Sequence, residues 1–119
     1  MNEKVADKMR RMCSRREYCV ADIRKKLLVQ LEGNAAEADE IIAMLLNEKY
    51  VDDLRYATAY AREKAMISGW GETKIRYMLS AKKVSREVID QALSEIDTER
   101  ASSKLQKLLE PKYKSLRED

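Results

Sequence analysis

From Val5 to Ile96 the apolar residues return every three or four positions, and across 119 residues only three glycines and one proline interrupt them. That period puts them on one face of successive α-helices, because a strand would alternate at every second residue. Charged residues make up 38% of the chain and Phe is absent, so the core must come from Leu, Ile, Val, Met, Ala and Tyr. The expected fold class is all-α. A chain this short buries a modest share of its surface, which favours thin cores over a deep catalytic pocket.

The spacing predicts seven helices. The first spans about Lys4 to Arg16 with Val5, Met9, Met12 and Cys13, and the second about Val20 to Leu31 with Val20, Ile23, Leu27 and Leu31. Gly33 stops it, and Asn34 with Glu37 reads as a capping box for a third helix carrying Ala38, Ile41, Ile42 and Leu45. Asp52 caps the fourth, whose stripe is Leu54, Ala57, Ala61 and Ala65, and Asp53 suits the positive end of the helix dipole. Gly69-Trp70-Gly71 breaks the chain before a fifth helix with Ile75, Met78 and Leu79. Ser85 caps a sixth with Val88, Ile89, Ala92 and Ile96. A seventh is expected from Thr98 to Leu109, with Ala101, Leu105 and Leu108, ended by Pro111.

The helices repeat. A shift of about 52 lays Tyr18 on Trp70, Ile23 on Ile75, Arg24 on Arg76 and Leu27 on Leu79, and one of about 48 lays Ile41 on Ile89 and Leu45 on Leu93. The expected organisation is therefore tandem three-helix repeats over 1–51 and 52–97, with 98–119 beginning an incomplete third. Such units stack into an elongated, curved body suited to lying along a polymer.

Charge follows the same partition. Residues 1–34 hold nine basic and five acidic groups, 35–53 one and six, and 54–83 seven and two. Two basic segments around an acidic one predict a polarised molecule with a face for anions. Cys13 and Cys19 make no disulfide framework, so a reducing, cytoplasmic setting is expected, and no apolar run is long enough to cross a bilayer. The chain has no histidine, no phosphate-cradling glycine loop and no Cys/His metal spacing, so neither catalytic residues, cofactor nor metal is expected. Asp52 and Asp53 read as helix caps in preference to a carboxylate dyad, and Trp70 as a core anchor of its turn. For Arg55, a structural ion pair and a partner contact weigh about equally.

Two segments carry a family resemblance. Arg15-Arg16-Glu17-Tyr18-Cys19-Val20-Ala21-Asp22-Ile23-Arg24-Lys25-Lys26-Leu27 is similar to one motif of the RecX family. Tyr50-Val51-Asp52-Asp53-Leu54-Arg55-Tyr56-Ala57, followed by Tyr60 and Gly69-Trp70-Gly71 with Lys74 and Ile75, resembles a second, more specific one. The pattern departs at Cys19, Glu72 and Lys83, where serine, proline and a loop glycine are usual. The resemblance implies a regulator that binds filaments of the RecA recombinase on DNA and restrains strand exchange and ATP hydrolysis.

Basic residues are the binding candidates, since phosphate contacts need positive charge and reach. The first unit offers Arg10, Arg11, Arg15, Arg16, Arg24, Lys25 and Lys26, and the second Arg62, Lys64, Lys74, Arg76, Lys82 and Lys83. Of these, Arg15, Arg16, Arg24, Lys25, Arg62, Lys74, Arg76, Lys82 and Lys83 are preferred for contact with RecA or with single- or double-stranded DNA. Tyr77, off the apolar stripe of its helix, is added as an exposed aromatic. Asp52, Asp53, Arg55, Gly69, Trp70 and Gly71 are the structural motif. The expected protein is a monomer with no membrane partner. The alternative is a stand-alone DNA-binding module of helix-turn-helix type.

Overall fold

A computed structural model describes the backbone of residues 1–109 and the side chains through Ser102. Six helices follow one another: α1 (Glu3–Arg15), α2 (Val20–Gln30), α3 (Ala35–Asn47), α4 (Asp53–Met66), α5 (Glu72–Ala81) and α6 (Arg86–Leu109). No strand occurs among the described residues. Four of the six starts fall where short polar side chains satisfy free N–H groups, and α2 and α5, after Cys19 and Gly71, lack such a cap of their own. Asn2 accepts from the Val5 N–H at 3.1 Å, Asn34 from Glu37 at 3.0 Å, Asp52 from Arg55 at 3.0 Å and Ser85 from Val88 at 3.3 Å.

The buried residues fall into two clusters. Met9, Ile23, Leu27, Ile41 and Leu45 centre the first, between α1, α2 and α3. Ile75, Leu79, Ile89, Ala92 and Ile96 centre the second, with Tyr56, Ala57 and Ala61 of α4. With two cores and an α6 that continues past Ile96, its last buried side chain among the described residues, the body measures 61 × 26 × 21 Å with a radius of gyration of 18.7 Å, against about 13 Å for a compact chain of this length.

The second helices correspond at the expected offset, Arg24 to Arg76 and Leu27 to Leu79. The third helices do not correspond at 48. They are offset by 51, the step from the cap Asn34 to the cap Ser85, so that Ala38, Ile41, Ile42 and Leu45 match Ile89, Ala92, Leu93 and Ile96, all buried. The reason is length: α2 has 11 residues and α5 has 10. The seventh helix is also corrected, since α6 runs through Thr98 without a break. Thr98 donates its hydroxyl back to the Ser94 carbonyl at 3.0 Å, an arrangement that continues a helix, whereas a cap would accept from N–H groups further on. The side chains of Leu105 and Leu108, and Pro111 with the rest of 110–119, lie outside the described residues.

Candidate nucleic-acid and partner interface

Two arginine bridges recur in each unit. Arg10 of α1 meets Glu48 at the end of α3 at 3.1 Å, and Arg62 of α4 meets Glu99 of α6 at 2.6 Å. Arg24 of α2 meets Asp39 of α3 at 2.5 Å, and Arg76 of α5 meets Asp90 of α6 at 2.6 Å. Carboxylate hydrogen bonds hold Arg10, Arg62 and Arg76 above the ordinary arginine pKa, and Arg62 holds Glu99 below that of a free glutamate. These arginines tie the third helix of each unit to the other two, and their charge is largely spent there.

The two units meet through the motif that opens α4. Asp52 caps its own helix, whereas Asp53 reaches across and accepts the Val20 N–H of α2 at 2.8 Å. Arg55 donates to Glu17 at 2.6 Å and to the carbonyls of Lys49 and Tyr50 at 3.0 and 3.2 Å. Lys82, just past α5, donates to Asp22 of α2 at 2.9 Å. Cys19, which caps nothing with its thiol, is fully buried in the second core. Burial pushes that thiol's pKa up. Arg55 is thus a structural lock within the chain.

Several cations outside these ion pairs line the joint. A recess of about 560 Å³ holds Arg16, Tyr56, Tyr60, Lys64 and the Asp22–Lys82 pair together with the carboxylates of Glu17 and Glu63, and a neighbouring one of about 300 Å³ shares Arg16 and Asp22 with it and adds Tyr18, Lys25 and Lys26. Aromatic rings position the cations. Arg16 sits 4.6 Å and Lys26 5.8 Å from the Tyr18 ring, Lys64 5.6 Å from Tyr60 and 5.0 Å from Trp70, and Lys74 4.1 Å from Trp70. Tyr60 meets Trp70 edge-on at 6.3 Å. A cation over a ring gains about 0.5–1 kcal/mol at an exposed site and keeps its whole charge, which a carboxylate would cancel. Among the described residues none of Arg16, Lys25, Lys26, Lys64 and Lys74 has a carboxylate within salt-bridge distance.

The sequence-predicted residues therefore divide. Arg24, Arg62, Arg76 and Lys82 are committed to ion pairs within the chain, while Arg16, Lys25 and Lys74 lie on the strip across the joint. Arg15 and Lys83 are exposed and, among the described residues, without a carboxylate partner, and Tyr77 is 73% exposed on α5. Trp70, flanked by Gly69 and Gly71, is half-buried against the second core while its ring supports two lysines. Lys26 and Lys64 were not among the preferred residues, nor were Tyr18 and Tyr60. A signal for part of this lies in the sequence: Tyr60 precedes Lys64 by four residues, one turn of α4. No helix among the described residues is long and apolar enough to cross a membrane, and none of their His, Cys, Asp and Glu side chains form a metal-holding group of three.

This geometry defines an all-helical tandem-repeat protein with a charged, aromatic-supported strip across its repeat joint. The sequence profile of the RecX second three-helix domain matches residues 52–93. Regulatory protein RecX of Vibrio parahaemolyticus is 34% identical over 84 residues, covering 71% of this chain and 53% of the relative. That of Vibrio vulnificus is 36% identical over 85 residues, covering 71% and 54%, and that of Clostridium tetani 33% over 78 residues, covering 66% and 35%. The chain belongs to the RecX family. It spans between about a third and about half the length of these relatives. No solved structure matches it.

Proposed function

We propose that this chain is a regulator that binds RecA–DNA filaments and restrains their strand exchange and ATP hydrolysis, acting as a cytoplasmic monomer. The observation that carries the reading is the strip of carboxylate-free cations, Arg16, Lys25, Lys26, Lys64 and Lys74, on an elongated body whose family members are named as regulatory proteins. Positive charge, held over rings at Arg16, Lys26, Lys64 and Lys74, suits a phosphate backbone, read without regard to sequence. Restraint follows if the chain favours one filament conformation, because a ligand indifferent to both shifts nothing.

A stand-alone helix-turn-helix module would present the third helix of a unit to the major groove. Here α3 carries Glu37, Asp39 and Glu40 and no Lys or Arg, which disfavours phosphate on that helix. The test is RecA ATP hydrolysis on single-stranded DNA with increasing protein. Hydrolysis is expected to fall, and to fall less with Lys64→Glu/Lys74→Glu. Unchanged hydrolysis at saturating protein overturns the reading.

A further inference from the structure

The first unit carries a second surface, which shares only Lys26 with the strip at the joint. Between α1 and α2 lies a groove of about 300 Å³ with Met9 and Met12 in its floor, Val29 and Gln30 along one side, and Lys8 and Lys26 at its rim. Val29 is 76% exposed, an apolar side chain presented to solvent beside two methionines, whose flexible thioethers adapt to varied apolar partners.

The charge around this groove is one-sided. On α1 the residues Lys4, Lys8, Arg11 and Arg15 recur at helical spacing, so they share one face, next to the face of Met12. All four are exposed and none has a carboxylate within salt-bridge distance among the described residues. The remaining cation of the helix, Arg10, points to the other side, to Asp7 and Glu48. From Lys4 to Arg15 the row extends about 16 Å, three helical turns.

The groove is not a by-product of the repeat. At the offset that aligns α2 with α5, Met12 corresponds to Lys64 and Val29 to Ala81, so the second unit has neither the thioether floor nor the exposed valine. A phosphate backbone has no use for an apolar floor. An apolar stripe flanked by carboxylates satisfies both features at once.

We propose that the α1–α2 groove of the first unit docks an acidic amphipathic helix of a partner protein, its apolar stripe against Met12 and Val29 and its carboxylates on Lys8, Lys26 and the α1 row. This is helix-in-groove recognition, and it holds independently of DNA binding at the joint. The probe is a fluorescein-labelled peptide of about 15 residues, Leu and Glu only, with Leu at helical spacing, titrated with the full chain and read by anisotropy. Its control has the same composition with the leucines dispersed.

The patterned peptide is expected to bind at least about tenfold more tightly than the control. Val29→Glu, which substitutes an exposed position and leaves the helical circular dichroism unchanged, is expected to weaken it by a similar factor. Lys8→Glu/Arg11→Glu, which leaves the joint strip intact, is expected to lose the Glu peptide and to gain the version with Lys for Glu. Equal binding of both peptides, no binding of the patterned one, or no effect of Val29→Glu overturns the proposal. So does an equal loss in Lys64→Glu/Lys74→Glu, since the peptide would then follow net charge. A filament assay that fails while the peptide binds would count against the joint strip alone.

Discussion

The carboxylate of Asp53, the first residue of α4, accepts the backbone N–H of Val20, the first residue of α2, at 2.8 Å. A helix of the second unit thereby caps a helix of the first, in place of the Cys19 thiol, which makes no cap hydrogen bond. Removing such a cap costs about 1 kcal/mol. Asp53→Ala is expected to lose about that much stability in urea unfolding and to loosen the joint first. Cys19, wholly buried in the second core, reports the loosening: its alkylation in the native protein should accelerate in Asp53→Ala, while that of the half-buried Cys13 serves as internal reference. An unchanged Cys19 rate would show that the cap does not hold the joint closed.

Two aspartates at this joint answer pH in opposite senses. Burial pushes the Asp53 pKa up, against the Val20 hydrogen bond. The pH-dependent part of its contribution to stability is therefore fully present below the ordinary carboxylate range and is lost as pH rises through its raised native pKa, while the cap itself remains. For Asp22, burial works upward, but the hydrogen bond and charge of Lys82 outweigh it and hold the group low. Its contribution is present above the ordinary range and lost as pH falls through its depressed native pKa. Urea midpoints from about pH 3 to about pH 7, a range that brackets ordinary carboxylates, should show the two trends. Relative to the parent, Asp53→Asn gains as pH rises, and Asp22→Asn recovers as pH falls. Parallel trends would refute the assignment.

Salt dependence separates working cations from structural ones. Each phosphate contact adds about 0.7 to the slope of log affinity against log salt on a single strand. Lys64→Ala and Lys74→Ala are each expected to lower that slope by about this amount with an oligo(dT) probe. Arg24→Ala and Arg76→Ala should leave it nearly unchanged, because Asp39 and Asp90 already hold those guanidinium groups.

Lys83 takes a left-handed backbone, φ 61°, in the turn after α5, where the family pattern has glycine. A side chain costs roughly 1 kcal/mol in that region. Lys83→Gly is expected to recover part of this as a higher melting temperature, offset in part by the entropy of a freer unfolded chain. A lower melting temperature would mean that the turn is not strained.

The parts of the fold that the sequence made legible are those governed by neighbours in the chain. Asn34 with Glu37, Asp52 and Ser85 mark helix starts because the capping group and the N–H it satisfies lie three residues apart. Thr98 misled for the same local reason: it resembles a cap, and only its hydroxyl's turn toward Ser94 makes it part of a continuing helix. Asp53 reads as a second residue favouring its own helix, while its partner lies 33 positions earlier. No local pattern names that partner. Nor does composition distinguish Arg24 from Lys25, although one faces Asp39 and the other lines an open recess. The family motif carries this non-local information in compressed form, since Asp53 and Arg55 are the residues that join the units.

Because the two cores are separate and the joint is closed by one buried thiol and a few polar contacts, the set of one unit against the other is a dimension of its own. Substitutions at Glu17, Asp22, Asp53, Arg55 or Lys82 can retune the pitch of the body while Leu27 and Leu79 keep their packing. Such changes act at the seam, at a cost near that of one helix cap, while the side chains that fill the centre of each core stay as they are.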